Sequence, residues 1–245
     1  MFNGKNKALT FSYDDGVYQD ARLAEIFNRY GLKCTFNLNS ALFDPKNNWT
    51  YRKAHCAHMR EDELKKALAG HEIAVHGAKH LNLAELCGEE VKNELLEDKK
   101  SLERMWNTQM QGMAYAYGAY NEEVKNIVKE CGLRFARTVR PTHSFEPQTD
   151  LLEFHPTCHH NDEKLFELAE KFLSLSSDTP AIFYVWGHSY EFDGDDNWER
   201  IEKFCQMMAG KDDIFYGTNK EELEKAGATY IADSVDALKK ILLNL

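Results

Sequence analysis

Short apolar segments alternate with amphipathic helical patterns along almost the whole chain, and this alternation limits the fold more than any other feature of the sequence. The segments that we interpret as strands are residues 8–13, 33–38, 72–75, 113–116, 135–139, 181–186, 214–216 and 229–232. Apolar residues at the three- and four-residue spacing of helices lie in 20–30, 91–106, 122–131, 163–175, 198–208, 220–225 and 235–243. Because strands that alternate with helices form parallel sheets, we predict an α/β protein.

The number of alternations favours a closed or nearly closed barrel. About eight strand and helix pairs are what a (β/α) barrel needs, and 245 residues are enough to form one as a single domain over residues 1–245. A doubly wound open sheet is the alternative. Two stretches without a regular pattern, 44–59 and 140–162, are predicted to be long loops that shape a site.

The charge of the chain argues against several kinds of partner. Its formal net charge of -10 would repel nucleic acid and anionic membrane surfaces. The first predicted strand begins too early to leave room for a signal peptide, and no segment approaches transmembrane length. We therefore expect a cytoplasmic protein, or a secreted one if a leader has been removed. Its six cysteines show no C-x-x-C spacing, so we expect buried, reduced thiols.

Carboxylate and imidazole side chains follow three of the predicted strands, at the point where each strand ends. Asp14 and Asp15 follow the first strand, His76 and His80 follow the third, and His188 follows a later one. Because the carboxyl ends of barrel strands converge on one face, these side chains can meet. Asp and His hold divalent transition metals, and a spare carboxylate beside such a site can act as a base. The sequence therefore indicates a metal-dependent hydrolase.

Each motif also has an ordinary structural explanation. The D-D-G of residues 14–16 is suited to a turn that caps a helix, and an H-x-x-x-H spacing arises easily by chance in a chain with ten histidines. It is the joint occurrence of these motifs at strand ends that favours the catalytic interpretation.

The order of the motifs resembles that of the polysaccharide deacetylase (NodB homology) family, also called carbohydrate esterase family four. Residues 12–16, S-Y-D-D-G, look like its T-F-D-D-G motif, and residues 76–80, H-G-A-K-H, are similar to its H-[ST]-x-x-H pair. Tyr117 and Gly118 match the end of its R-x-P-Y-G motif, and His188 matches its late L-x-H histidine. The resemblance implies a NodB-like, distorted (β/α) barrel of seven to eight units. It also implies hydrolysis of N-acetyl or O-acetyl groups on a sugar.

The resemblance also implies a role for each matching residue. Asp14 is the expected base, and Asp15, His76 and His80 are the expected ligands of one divalent metal ion. Zinc suits this donor set best, while cobalt, nickel, manganese and iron(II) are also compatible. His188 is the expected acid. The expected oxyanion and substrate residues are Tyr117, Gly118 and Trp186.

Two of the departures from the family pattern bear on the site. Gly77 stands where the second motif has Ser or Thr, and Ala114 stands where the third motif has the Arg that orients the catalytic carboxylate. We hypothesise that Arg137, at the end of the next strand, supplies this charge instead.

Other residues leave the substrate open. His159 and His160, in the second irregular stretch, are candidates to line the cleft, although a solvated or buried loop histidine is the commoner state. The expected substrate is an acetylated sugar or oligosaccharide. A metal-dependent amidase for a small amide or ureido compound, and a carbohydrate-binding protein with a degenerate site, are the alternatives. The sequence does not indicate an oligomeric state.

Overall fold

A computed structural model of the chain describes residues 2–176 and 180–225. Eight parallel strands form one sheet: β1 (Lys7–Asp14), β2 (Thr35–Leu38), β5 (Glu72–Val75), β6 (Gly112–Ala114), β7 (Phe135–Arg137), β8 (Cys158–His159), β9 (Ala181–Gly187) and β10 (Ile214–Tyr216). Their order in the sheet is β7-β6-β5-β2-β1-β9-β8, and β10 pairs with the first half of β1. A separate antiparallel hairpin is made of β3 (Asn48–Tyr51) and β4 (Ala54–Ala57).

Helices follow most strands of the sheet, as the sequence predicts. They are α1 (Tyr18–Arg29), α2 (Glu61–Ala67), α3 (Gly88–Trp106), α4 (Glu122–Glu130), α5 (Leu165–Ser174), α6 (Tyr190–Asp195), α7 (Trp198–Met208) and α8 (Asn219–Lys225). The apolar stripes of these helices pack on the sheet. The ring of Phe183 in β9, for example, contacts Phe172 of α5 and Phe204 of α7. The expected distorted barrel of parallel strands is confirmed.

The register of the central strands brings their carboxyl ends to the same level. β1 is buried along its whole length, as expected for a parallel strand covered on both faces. It pairs with β9 so that Tyr13 lies opposite Gly187, and with β2 so that Asp14 lies opposite Asn37. The residues that follow β5 and β9 therefore emerge beside Asp14.

A short connecting segment joins the two edges of the curved sheet. Phe154 bridges to Arg137 in β7, and its backbone N–H donates to the Ala136 carbonyl at 2.9 Å. Three residues later, the Thr157 N–H donates to the Tyr184 carbonyl at 2.8 Å, and β8 then continues this pairing along β9. Residues 154–159 thus fill the gap between β7 and β9, where a regular barrel would have a full strand.

The structure corrects the expectation that 44–59 and 140–162 are irregular. The first stretch contains the β3–β4 hairpin, which the isolated bridge between Val17 and His58 ties to the loop after β1. The second contains β8, which is only two residues long. Neither stretch shows a long alternating apolar pattern, because the hairpin is half exposed and β8 is too short to show any period. α2 and α6 were also missed.

Several boundaries differ from the sequence prediction. β6 and β7 end at Ala114 and Arg137, two residues earlier than expected, because a 3₁₀ helix and a loop begin there. The expected strand 229–232 and helix 235–243 lie outside the described residues. All six cysteines are free and five are buried, as expected. Among the described helices, none combines the length and the apolar character needed to cross a bilayer.

Candidate metal and catalytic site

Asp15, His76 and His80 come together at the carboxyl edge of the sheet. The Asp15 Oδ1 atom lies 3.7 Å from His76 Nε2 and 3.6 Å from His80 Nε2, and one ligand atom from each residue lies within 4.8 Å of the others. Asp15 and His76 are buried and His80 is partly exposed. Two imidazole nitrogens and one carboxylate oxygen suit a divalent transition metal with positions left open for water and substrate.

The hydrogen bonds of His76 prepare it to act as a ligand. Its Nδ1 lies 2.9 Å from the Ala114 carbonyl oxygen, which can only accept, so the proton resides on Nδ1 and the Nε2 lone pair faces Asp15. Burial lowers the pKa of His76 to about 4, despite the opposing effect of Asp14, so the imidazole is neutral at pH 7. These residues therefore fit a bound cation.

Asp14 is buried beside this group and held by two donors. Asn37 Nδ2 donates to its Oδ1 at 2.7 Å, and the Arg137 guanidinium donates to its Oδ2. Burial alone would raise the pKa of Asp14, but Arg137, His76 and His188 together lower it to about 2. Asp14 is therefore an anion throughout the physiological range.

Arg137 reaches Asp14 from the strand next to the one that carries Ala114. In the β6–β7 ladder, Ala114 is the register partner of Arg137. Arg137 is fully buried, and its guanidinium carbon lies 4.4 Å from the centre of the Trp186 ring. The small side chain at position 114 leaves the interior free for this arginine. The contact agrees with our hypothesis, while the role of Arg137 in the reaction stays a prediction.

His188 lies beside the same Asp14 oxygen, Oδ2, that His76 approaches. Its Nε2 is 3.7 Å from Asp14 Oδ2, and its Nδ1 is 3.4 Å from Glu191 Oε1. Burial lowers the pKa of His188, but Glu191, Asp15 and Asp14 outweigh this effect and raise it to about 9. His188 is therefore a protonated imidazolium at pH 7 and can donate a proton.

Sequence reasoning missed Glu191, which contacts three imidazoles. Its Oε2 lies 3.1 Å from the Nε2 atoms of both His159 and His160. Its position three residues after His188, on the first turn of α6, is the one signal that could have indicated it. Glu191 therefore links the segment after β9, which carries His188, to His159 in β8.

The two histidines that were expected to line the cleft differ in their exposure to solvent. His159 is partly exposed beside the Trp186 ring, at 4.8 Å between ring centres. His160 is fully buried, and its ring stacks on those of Tyr13 and Phe192, with ring centres 5.6 and 4.1 Å away. His160 is therefore covered by the core and not open to the cleft, although its ring lies only 4.3 Å from that of His159.

The remaining expected site residues are Tyr117, Gly118 and Trp186. Tyr117 is 68% exposed, has a left-handed backbone with φ 58, and packs its ring 4.6 Å from that of His80. Gly118 packs against Val139 so closely that a Cβ at position 118 would lie 2.4 Å from a methyl carbon. Trp186 is largely buried beneath His159 and over Arg137.

A second missed carboxylate joins two of the site loops. Asp20, in the first turn of α1, accepts the Ser189 hydroxyl at 2.5 Å and the Val17 N–H at 3.0 Å. Val17 follows the loop after β1 that carries Asp15, and Ser189 is next to His188. Asp20 was visible in the sequence only as a residue of the predicted helix.

Comparisons with known proteins agree with this geometry. The family model described as "Polysaccharide deacetylase" matches residues 3–136. Solved structures with a similar fold include a Mycobacterium smegmatis protein assigned as a polysaccharide deacetylase, with 18% identity, coverage of 93% of this chain and 92% of that one, and a TM-score of 0.65. A family 4 carbohydrate esterase from Streptomyces lividans, in complex with acetate, shares 14% identity with this chain. The match covers 87% of this chain and 93% of that one, with a TM-score of 0.56.

An enzyme with another activity has the same fold. The PuuE allantoinase shares 13% identity over 93% of this chain and 92% of its own, with a TM-score of 0.68. At these identities the structural similarity establishes the fold alone. No curated protein matches the chain significantly.

The contact between Glu191 and His188 gives a prediction for titration. His188 has a raised pKa, so its charge stabilises the folded protein fully below about pH 6.5, and this stabilisation is lost as the pH rises through about 9. In Glu191→Gln the pKa of His188, measured by NMR on the metal-free protein, is expected to fall towards the ordinary histidine value. Glu202→Gln, a surface change in an ion pair with Arg29, is the control. An unchanged His188 pKa in Glu191→Gln would contradict the prediction.

Proposed function

The chain belongs to the polysaccharide deacetylase family, and from this premise we propose that it is a metal-dependent hydrolase that removes acetyl groups from a carbohydrate. One observation carries the proposal: Asp15, His76 and His80 converge beside an ionised Asp14, with a protonated His188 within 3.7 Å of that carboxylate. This arrangement combines a cation site, a base and an acid, which hydrolysis of an acetyl group requires.

We propose that Asp15, His76 and His80 hold the cation, and that zinc is the ion that suits them best. A divalent ion in this position polarises the acetyl carbonyl and lowers the pKa of water from about 15.7 towards about 7. Asp14 then accepts the proton of the attacking water. The contacts of Asn37 and Arg137 fix its carboxylate for this transfer.

The tetrahedral intermediate carries a negative charge on the former carbonyl oxygen. The backbone N–H of Tyr117 is the proposed donor to this oxygen, and a donor of this kind is typically worth about 3 kcal/mol. The absence of a side chain at Gly118 lets Val139 pack against this segment. Trp186 and the partly exposed His159 would line the sugar side of the cleft, since aromatic rings stack on the apolar faces of sugars.

The protonated state of His188 favours an amide substrate. An amine leaves an amide only after it gains a proton, whereas the alcohol of an ester leaves more easily. Because Glu191 and the two aspartates raise the pKa of His188, the imidazole can supply that proton. We therefore propose N-acetyl groups in preference to O-acetyl groups.

The direct test is acetate release from N-acetylated oligosaccharides by the purified protein. We expect release that a chelator abolishes and that added zinc restores. The same oligosaccharides with O-acetyl groups should react more slowly once spontaneous hydrolysis is subtracted. Failure to release acetate from either kind of substrate, at full zinc occupancy, would contradict the proposal.

A second candidate is hydrolysis of a small amide or ureido compound, which the fold shared with an allantoinase favours. Incubation of the protein with allantoin, with the consumption of allantoin measured, separates the two candidates. Turnover of allantoin without acetate release from the oligosaccharides would replace our proposal. Binding of zinc and of the oligosaccharide without turnover of either substrate would indicate a degenerate carbohydrate-binding protein.

The proposed roles separate metal binding from proton transfer. Asp14→Asn is expected to retain zinc but lose about 10²–10⁴-fold in kcat, the usual contribution of a general base. His76→Ala is expected to lose zinc, because it removes one of three ligands. Zinc per chain, measured by elemental analysis after dialysis, together with kcat, checks both. Equal zinc contents in the two variants would contradict the assignment.

The relocated arginine can be tested by moving it back. Arg137→Ala leaves the buried Asp14 carboxylate without its cation, so kcat is expected to fall about 100-fold as the base loses its position. Ala114→Arg in the same protein places a guanidinium on the neighbouring strand in register, and we expect it to recover part of this loss. Urea unfolding of both variants shows how much stability each change removes. Unchanged kcat in Arg137→Ala would refute the role.

A further inference from the structure

Two buried carboxylates of α3 contact the loop that carries the proposed histidine ligands. Glu94 and Asp98 are one helical turn apart and are 4% and 0% exposed. Within residues 2–176 and 180–225, neither forms an ion pair with a Lys, Arg or His side chain. Taking a carboxylate out of water without a cation is costly unless hydrogen-bond donors replace the water. The donors that replace it here belong to the backbone around the proposed metal site.

Asp98 joins the carboxyl ends of two strands. Its Oδ2 accepts the backbone N–H of His76 at 3.0 Å, and its Oδ1 accepts the backbone N–H of Ser40 at 2.8 Å. His76 directly follows β5, and Ser40 lies two residues after β2. Asp98 therefore fixes the point at which the first histidine leaves the sheet.

Glu94 holds the other end of the loop. Its Oε1 accepts the backbone N–H of Lys79 at 2.6 Å, and its own backbone carbonyl accepts the Ala78 N–H at 3.4 Å. The next residue, His80, has a left-handed backbone with φ 56. Such a conformation is costly for a residue with a side chain and persists only where its surroundings hold it.

Gly77 and Glu94 are matched in space. Gly77 has φ +83, and a Cβ added to it would lie 3.1 Å from Glu94 Oε1. The family motif that this loop resembles has Ser or Thr at the position of Gly77. In this chain the carboxylate from α3 occupies the space next to the loop that such a side chain would enter.

The carbonyl groups of the loop are held from the opposite side. Asn39 Nδ2 donates to the carbonyl oxygens of His76 at 3.0 Å and Gly77 at 2.8 Å, and the Ala41 N–H donates to that of Ala78 at 3.0 Å. The loop is thus gripped between the segment after β2 and one face of α3. Its conformation depends on both sides.

We propose that Glu94 and Asp98 are positioning residues that fix the 76–80 loop so that His76 and His80 face Asp15 before a cation binds. The inference rests on the proposed function, because it takes these histidines as ligands. Position 77 is a glycine in this chain and has no hydroxyl group with which to hold the loop, and α3 holds the loop instead.

The test is the affinity of the purified full-length protein for zinc, measured by competition with a chromogenic chelator. Residues that orient metal ligands typically contribute about 10–100-fold in affinity. We expect this loss in Asp98→Asn, whose amide group presents a donor to one of the two backbone N–H groups, and in Glu94→Leu, which removes the acceptor of the Lys79 N–H. Glu97→Gln, on the same helix and paired only with the exposed Lys79 side chain in the described structure, should stay within about twofold of the parent protein.

A purely structural role is distinguished by a matched core variant. Phe172→Leu in α5 removes ring contacts with Phe145 and Phe183, so it lowers the free energy of unfolding without touching the loop. Its zinc affinity should not change. Folding of each metal-free variant is verified by circular dichroism, and Glu94→Leu decides the question if Asp98→Asn does not fold.

Each result leads to a definite conclusion. Zinc affinities of Asp98→Asn and Glu94→Leu within twofold of the parent would overturn this inference alone and leave the proposed function standing. An equal loss in Phe172→Leu would also overturn it, since the effect would then follow from stability. A parent protein that binds no zinc would overturn both.

Discussion

The Asp14 carboxylate and the Arg137 guanidinium form a buried ion pair between β1 and β7, and the rest of the site is arranged around it. Both side chains are almost completely removed from water. Removing one partner of a buried pair usually costs about 3–5 kcal/mol, because the other charge remains without water or a counterion. The pair therefore fixes the inner wall of the cleft, and the Nε2 atoms of His76 and His188 each lie 3.7 Å from its Asp14 Oδ2 atom.

The electrostatics of the site follow from how its other carboxylates are held. Asp20 and Asp98 receive hydroxyl or backbone donors, and Glu191 lies against imidazoles. Hydrogen bonds of this kind hold an acid in place without a cation beside it, and burial still raises the pKa of Asp20 to about 8 and that of Asp98 to about 7. Arg137 is directed at Asp14, and Asp15 faces the neutral imidazole of His76 and the imidazole of His80. Such a position attracts a cation, which agrees with the proposed chemistry.

The family pattern and the departures from it share one physical logic. A catalytic carboxylate needs a cation beside it, and a ligand loop needs its backbone groups satisfied, but neither requirement fixes which residue serves it. In this chain the cation comes from the neighbouring strand in register with Ala114, and the loop support comes from α3 instead of position 77. Parallel strands and a packed helix place both substitutes within reach.

Local pattern alone determined the fold class and the place of the main site residues. Alternating strands and helices indicate a parallel sheet, and parallel strands end on one edge, so Asp14, Asp15, His76 and His188 could be grouped from their positions after strands. What only the tertiary structure decided is which distant groups meet them. The burial of His160, the contacts of Glu191 and the grip of α3 on the ligand loop depend on side chains that are far apart or unpatterned in sequence. Hydrophobic periodicity indicates which face of a helix or strand is buried. It carries no information about which polar side chain contacts that face, so these partners could be identified only in the folded structure.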